Sequence, residues 1–256
     1  MRNYEFIVSE LEARGHKCKV MERYKNGRKV KALVGMKDRA SPVLYPDDMS
    51  GTDEHIVEVI ADVFSNPIPD IADTEELVSR FSESVRVRIQ RESGDEVAKR
   101  RVSYMPGIEE IMVYEVTMSD GTKGSFKVTD EFLEHVEIDI DGAWEIGERN
   151  TFAESTMFDV GSVTGIYGSM NVVSNHSGHY GASAVLNTVL IEKFAKDHRT
   201  NEVIIIPSSI HECLLVSAND MPIEVVDAMV ADVNAHTVAA EEVLYDRAFV
   251  VDVTKL

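Results

Sequence analysis

Asn201 to Ala218 reads NEVIIIPSSIHECLLVSA, two short apolar runs on either side of a polar turn, and everything chemically suggestive in the chain sits in or beside that turn. Val203 to Ile206 is a run of β-branched residues without polar alternation, the pattern of a central strand buried on both faces. Pro207 cannot donate to a ladder, so pairing should stop there, and Ser208-Ser209 supplies side-chain oxygens suited to a turn. The apolar pattern resumes over Cys213 to Val216. A hairpin with Pro207 to Glu212 at its tip is therefore expected, gathering Ser208, Ser209, His211 and Glu212.

That cluster holds a potential nucleophile, a base and an orienting carboxylate, the parts of a hydrolase or transferase site. The structural reading of the same residues is that Ser caps turns, His satisfies buried backbone and Glu is solvated. Successive strand side chains diverge to opposite faces, and no Gly-x-Ser-x-Gly elbow raises a hydroxyl above the sheet. No catalytic residue is assigned; Ser208, Ser209, His211 and Glu212 are candidates and expected binding residues, joined by Asn234 only through the family resemblance given below.

Working backward from the turn, Met170 to Val173 reads as a strand and Gly181 to Ala195 as a helix with Val185, Leu186, Val189, Leu190 and Phe194 at helical spacing. Forward, a helix is expected from Pro222 to about Val233 and a last strand over Ala248 to Val253. This is a C-terminal β-α-β-β-α-β unit spanning 169–256. An α+β class with antiparallel sheets and helices on one face follows.

The earlier chain divides into two further segments. Residues 1–66 read α-β-β-β-α: a helix Tyr4 to Ala13 closed by Gly15, strands Cys18 to Tyr24 and Lys29 to Met36 about an Asn26-Gly27 turn, a short strand Pro42 to Tyr45, and a helix Asp53 to Phe64. Asn66 to Asp70 is the candidate boundary. Residues 67–168 form a middle α/β segment, with a helix Ala72 to Phe81 and a strand Val85 to Ile89. A hairpin of Ile111 to Met118 with Gly124 to Val128 about Asp120-Gly121 follows, then a helix Phe132 to Val136 capped near Thr129. Gly142 to Asn150 is expected to be a helix packed by Trp144, and Gly161 to Gly168 a loop.

At 256 residues with a formal net charge of −19, the chain can bury a sizeable core and disfavours nonspecific contact with nucleic-acid phosphate. The charge is uneven: residues 1–46 sum to +6, 47–80 to −9, 81–105 to +2 and 106–160 to −11. Solvation of separate faces accounts for this better than pairing of the parts, because exposed ion pairs contribute little. Cys18 and Cys213 form no CxxC pair and read as buried hydrophobes in a reducing compartment. The N-terminus lacks the apolar core of a signal peptide and there is no run of 18 apolar residues, so a soluble, cytoplasmic protein is expected. His176 and His179, three apart in the loop NHSGHY, could join His211 on zinc, but without paired cysteines or an HExxH the polar-loop reading prevails. No metal and no cofactor are assigned; GSVTGIYG at Gly161 to Gly168 lacks both the Walker lysine and dinucleotide-loop spacing.

Several stretches together resemble a bacterial family of unknown function, domain of unknown function 5688. They are KNGRKVKALVGMKDRASPVLYPDD at Lys25 to Asp48, VTDEFLEHVEIDIDGAWEIGERNT at Val128 to Thr151, GASAVL at Gly181 to Leu186, IIIPSSIHECLLV at Ile204 to Val216 and MVADVNAHTVAAEEVL at Met229 to Leu244. The PSSIHE turn is the most specific. The resemblance implies a setting in anaerobic gut bacteria and their mobile elements, and it places Ser208, Ser209, His211, Glu212 and Asn234 in the family's pattern without assigning a chemistry. NHSGHY and KDHRTNE, Lys196 to Glu202, depart from that pattern. The leading expectation is a non-enzymatic accessory module that binds a protein partner, with no membrane and no direct nucleic acid. The alternatives are a Ser/His/Glu hydrolase or transferase and an acidic nucleic-acid mimic, which would need a contiguous acidic stripe from 47–80 and 106–160.

Overall fold

The computed structural model of the chain describes residues 2–36, 41–65, 74–117, 123–161 and 170–256. The expected boundary Asn66 to Asp70, the Asp120-Gly121 turn and the loop Gly161 to Gly168 beyond its first residue lie outside them.

Helix α1 (Tyr4–Ala13) starts where the Asn3 side chain accepts the Phe6 N–H and stops at Gly15, whose φ of +88° suits glycine. Strands β1 (Cys18–Lys25) and β2 (Arg28–Gly35) pair from Cys18↔Gly35 to Lys25↔Arg28, and β3 (Val43–Leu44) adds to β2. Asn26 and Gly27 both take positive φ, as a two-residue hairpin turn requires. Helix α2 (Asp53–Ser65) lays Ile56, Val57, Ile60 and Phe64 against Ile7, Leu11 and Leu33.

A second sheet follows α3 (Thr74–Ser84). Its long strand β6 (Ile108–Thr117) pairs with β4 (Val85–Arg91) on one edge, while β5 (Lys99–Arg101) and β7 (Lys123–Lys127) share the other. Helices α4 (Asp130–His135) and α5 (Ile140–Glu154) begin at side-chain caps from Thr129 and Asp139. With α3 they cover Val85, Val87, Met112 and Tyr114. Trp144 is buried in this core, and the Arg100 guanidinium stacks on its ring at 4.0 Å. Strand β5 has no apolar residue to announce it; all three of its side chains are exposed.

The third sheet runs β12-β10-β11-β9-β8, every neighbour antiparallel. Its strands are β8 (Ser155–Asp159), β9 (Met170–Asn175), β10 (Glu202–Ile206), β11 (Cys213–Ser217) and β12 (Phe249–Asp252). The hairpin expected at the turn is present, with Ile206 opposite Leu214. Edge strand β8 was not foreseen, because it follows α5 with no turn residue between them. The expected helix Gly181 to Ala195 is two elements, a 3-10 segment Gly181–Leu186 and then α6 (Thr188–His198). The cause is docking: Ala182 N–H is given to the Ile210 carbonyl and Ser183 Oγ accepts the Ile89 N–H at 3.0 Å, which holds the segment tight against two sheets.

Helices on one face are also corrected for this sheet. Val203 and Ile205 pack with Ile191 and Phe194 of α6, whereas Ile204 and Ile206 pack with Val226 and Val230 of α7 (Ile223–His236). A strand apolar on both faces requires cover on both. Val203, Ile204 and Ile205 are each at most 1% exposed, and burying each stabilises the fold by about 1.5–3 kcal/mol. The same core takes in Ile89 and Ile108 from the second sheet and Val102 and Met105 from the connection between β5 and β6, so packing runs from one sheet into the other.

The basic N-terminal segment keeps its ion pairs local, Arg2 to Asp53 and Lys25 to Asp48. It meets the remainder through the β1–β2 turn: Asn26 Nδ2 donates to the Glu241 carbonyl, Arg28 to the Ala240 carbonyl, and Lys127 Nζ to the Tyr24 carbonyl. A Cβ on Gly27 would lie 2.3 Å from the Arg91 carbonyl oxygen, so this approach needs glycine. Arg91 in turn holds Asp246 with two N–H bonds of 2.7 Å. That fork keeps the Asp246 carboxyl below the usual carboxylate range. A lowered folded pKa contributes stability above the unfolded value of about 4, lost as pH falls through the folded value. Asp246→Asn should therefore show a smaller drop in melting temperature than wild type on acidification from about pH 6 to about pH 3; an equal drop in both proteins would contradict this role.

Candidate functional site

The turn between β10 and β11 is built by its own backbone before any side chain is considered. Ser208 N–H donates to the Ile206 carbonyl, Ser209 N–H to the Glu212 carbonyl and Ile210 N–H to the Glu242 carbonyl. The Ile210 side chain is buried at the bottom. Ser208, Ser209, His211 and Glu212 are half-buried and face outward around it.

Each of these side chains has a partner. Ser208 Oγ donates to Glu212 Oε1 at 3.3 Å, and Ser209 Oγ accepts the His211 N–H at 3.0 Å. The imidazole is held at both nitrogens. Nδ1 accepts the Tyr180 N–H at 3.2 Å, which leaves the ring proton on Nε2, 3.4 Å from Glu242 Oε1. The His211 carbonyl accepts from Ser174 Oγ at 2.8 Å. Among the described residues neither serine hydroxyl is hydrogen-bonded to the imidazole, so the nucleophile–base contact of a triad is not made in this arrangement.

The partners come from strand β9 (Ser174), the loop after it (Tyr180) and the segment after α7 (Glu242). Tyr180 sits in the left-handed region at φ +53°, and Gly181 follows at the point of closest approach. A Cβ there would meet Ser174 Oγ at 2.2 Å, the His211 carbonyl oxygen at 2.6 Å and Asn175 N at 2.7 Å. On its far side the Tyr180 ring lies under the Arg88 guanidinium at 3.9 Å. The turn thus positions Tyr180, and Tyr180 seats an arginine of the second sheet.

Beside Tyr180 a narrow cleft of about 20 Å³ is lined by Arg86, Arg88, Glu115, Glu154, His179 and Tyr180. That is room for about one water. Both arginines are matched, Arg86 to Glu154 at 2.7 Å and Arg88 to Glu115 at 2.9 Å.

Asn234 is not brought to the turn; its Nδ2 donates to the Tyr245 carbonyl at 2.8 Å, tying α7 to the segment before β12. The His179 ring meets that of His211 edge-on at 5.8 Å. Among the described residues no group of three or more His, Cys, Asp or Glu side chains could hold a metal ion, and no helix is long and apolar enough to cross a membrane. Cys213 is fully buried, which pushes its thiol up to about 12 and leaves it a packing group.

Sequence reasoning missed Tyr180, Ser174 and Glu242. Tyr180 and Glu242 each lie 31 residues from His211, and nothing local marks them. The one available signal was Gly181, a glycine opening an otherwise helical pattern. Removing the imidazole strands the Tyr180 N–H, so His211→Ala should cost about 1–3 kcal/mol in denaturant unfolding. Gly181→Ala should cost at least as much through overlap. A His211→Ala protein as stable as wild type would show that the ring does not brace the loop.

Residues 149–252 match a family model described as a family of unknown function, DUF5688. No curated protein and no solved structure matches the chain. The matched residues carry the turn, the 3-10 segment and the two helices covering the third sheet.

Proposed function

We propose that the chain is a non-enzymatic binding module, accessory to a bacterium or its mobile element, that recognises a protein partner. One observation carries the reading: every turn side chain that could do chemistry is committed to holding its neighbours. Ser209 fixes the His211 backbone, His211 is engaged at both ring nitrogens, and Ser208 bonds Glu212. A general base must have a free nitrogen within reach of the proton it takes. In this reading Ser208, Ser209, His211 and Glu212 brace a recognition surface, and Asn234 braces α7. The bacterial and mobile-element setting rests on the family resemblance alone.

The acidic-mimic alternative has less support. Asp48 and Asp53 are paired with Lys25 and Arg2, and Glu109, Glu110, Glu115, Glu148 and Glu154 are paired with Lys99, Arg100, Arg88 and Arg86. Five glutamates of 106–160 are therefore paired with basic residues of 81–105 beside them.

The test is a Ser208→Ala, Ser209→Ala double variant, compared with wild type in affinity capture from the native host and in ester, amide and phosphoester turnover screens. The expected outcome is that both proteins capture the same stoichiometric partner and neither turns over substrate. A turnover present in wild type and lost in the variant at unchanged melting temperature would overturn the proposal in favour of the hydrolase or transferase.

A further inference from the structure

Among the described residues, helix α7 is covered on one side only. Val226 and Val230 face Ile204, Ile206 and Val216. Val225, Met229 and Val233, at i, i+4 and i+8, fall on a neighbouring flank and remain 48%, 48% and 41% exposed. Ala228, Ala231 and Ala235 are exposed as well and continue the apolar surface over the crest of the helix. This exposed row widens the apolar surface of the helix beyond the stripe that the sheet covers. The opposite flank is tied down, Asp227 accepting the Ala248 N–H at 2.8 Å and Asn234 bonding the Tyr245 carbonyl, so the Val225–Met229–Val233 row is presented by an anchored helix.

The full charges carried by the helix itself are of one sign. Helix α7 carries Glu224, Asp227 and Asp232 and no Lys or Arg, and its one histidine, His236, lies 3.2 Å from Asp232. A second copy would bring the same carboxylates and a net charge of −19 to the face, and that repulsion opposes self-association. A helix with apolar residues on one side and Lys or Arg flanking them would meet the row with its apolar side and Glu224 and Asp232 with its cations. The small alanine crest leaves space for close approach of a second helix axis.

Resting on the binding-module reading above, we propose that the exposed face of α7 is the recognition surface and that its partner contributes a basic amphipathic helix of a separate protein, seated against Val225, Met229 and Val233.

The test uses the full chain and a synthetic peptide of about 18 residues, five turns of helix, with Leu on one face and Lys on the other. A scrambled peptide of the same composition is the control, and binding is read by fluorescence anisotropy. Wild type should bind the amphipathic peptide at least about tenfold more tightly than the scrambled one. Met229→Asp, at an exposed position and checked for an unchanged melting curve, should remove that preference. Val189→Asp, at a 64% exposed position on α6, should keep it. Equal affinity for the two peptides, or a preference that survives Met229→Asp, overturns the proposal. So does a wild-type dimer in sedimentation that Met229→Asp abolishes, since the face then takes a second copy. Capture from the native host separates the two readings: a partner retained by Met229→Asp leaves the binding module standing and removes α7 as its surface, whereas no partner with either protein, together with no peptide preference, removes both.

Discussion

The contact of Gly181 with the His211 carbonyl and Ser174 is the constraint on which the C-terminal architecture depends. Only a residue without a Cβ lets the 3-10 segment lie this close to the turn. Once it does, the Tyr180 N–H points at His211 Nδ1, Ala182 N–H at the Ile210 carbonyl and Ser183 Oγ at the Ile89 N–H. The last of these reaches the second sheet. One close approach thus joins the hairpin tip, the loop before α6 and strand β4.

Holding Tyr180 in the left-handed region costs on the order of 1–2 kcal/mol. Offsetting this are the Tyr180 N–H bond to the imidazole and the stacking of its ring under Arg88, each contributing on the order of 1 kcal/mol. The balance explains why a histidine serves here: a neutral imidazole can accept at Nδ1 while donating from Nε2 toward Glu242, bridging two segments that are distant in the chain. The polar turn is then a brace. What it braces is a five-stranded sheet with α6 and α7 on opposite faces, a unit that leaves the Val225, Met229 and Val233 flank of α7 exposed.

Much of this was legible from local pattern. The unbroken run Val203 to Ile206 announced a central strand, Asn26-Gly27 a tight hairpin, and Thr129 a helix start, where a short side-chain oxygen satisfies a free N–H. The missed features were set by tertiary contact. Strand β8 has weak alternation and follows a helix directly, β5 is three basic residues held only by pairing to β6, and Gly181 to Leu186 carries a helical apolar spacing that docking tightens to a 3-10 segment. The candidate cluster was legible in membership but not in role. Ser208, Ser209, His211 and Glu212 do gather at one tip, while the partners that decide what they do, Tyr180, Ser174 and Glu242, are remote in sequence. Asn234 was grouped with them by family pattern and lies elsewhere, on α7.

His211 acts as a structural brace only if Nε2, and not Nδ1, carries the ring proton. Nitrogen NMR of the folded protein labelled at histidine reads this directly. The expected result is an imidazole protonated at Nε2, with a hydrogen-bond coupling between the Tyr180 amide and unprotonated Nδ1. A ring protonated at Nδ1, with Nε2 free to accept a proton, would contradict it and return the imidazole to the role of a base.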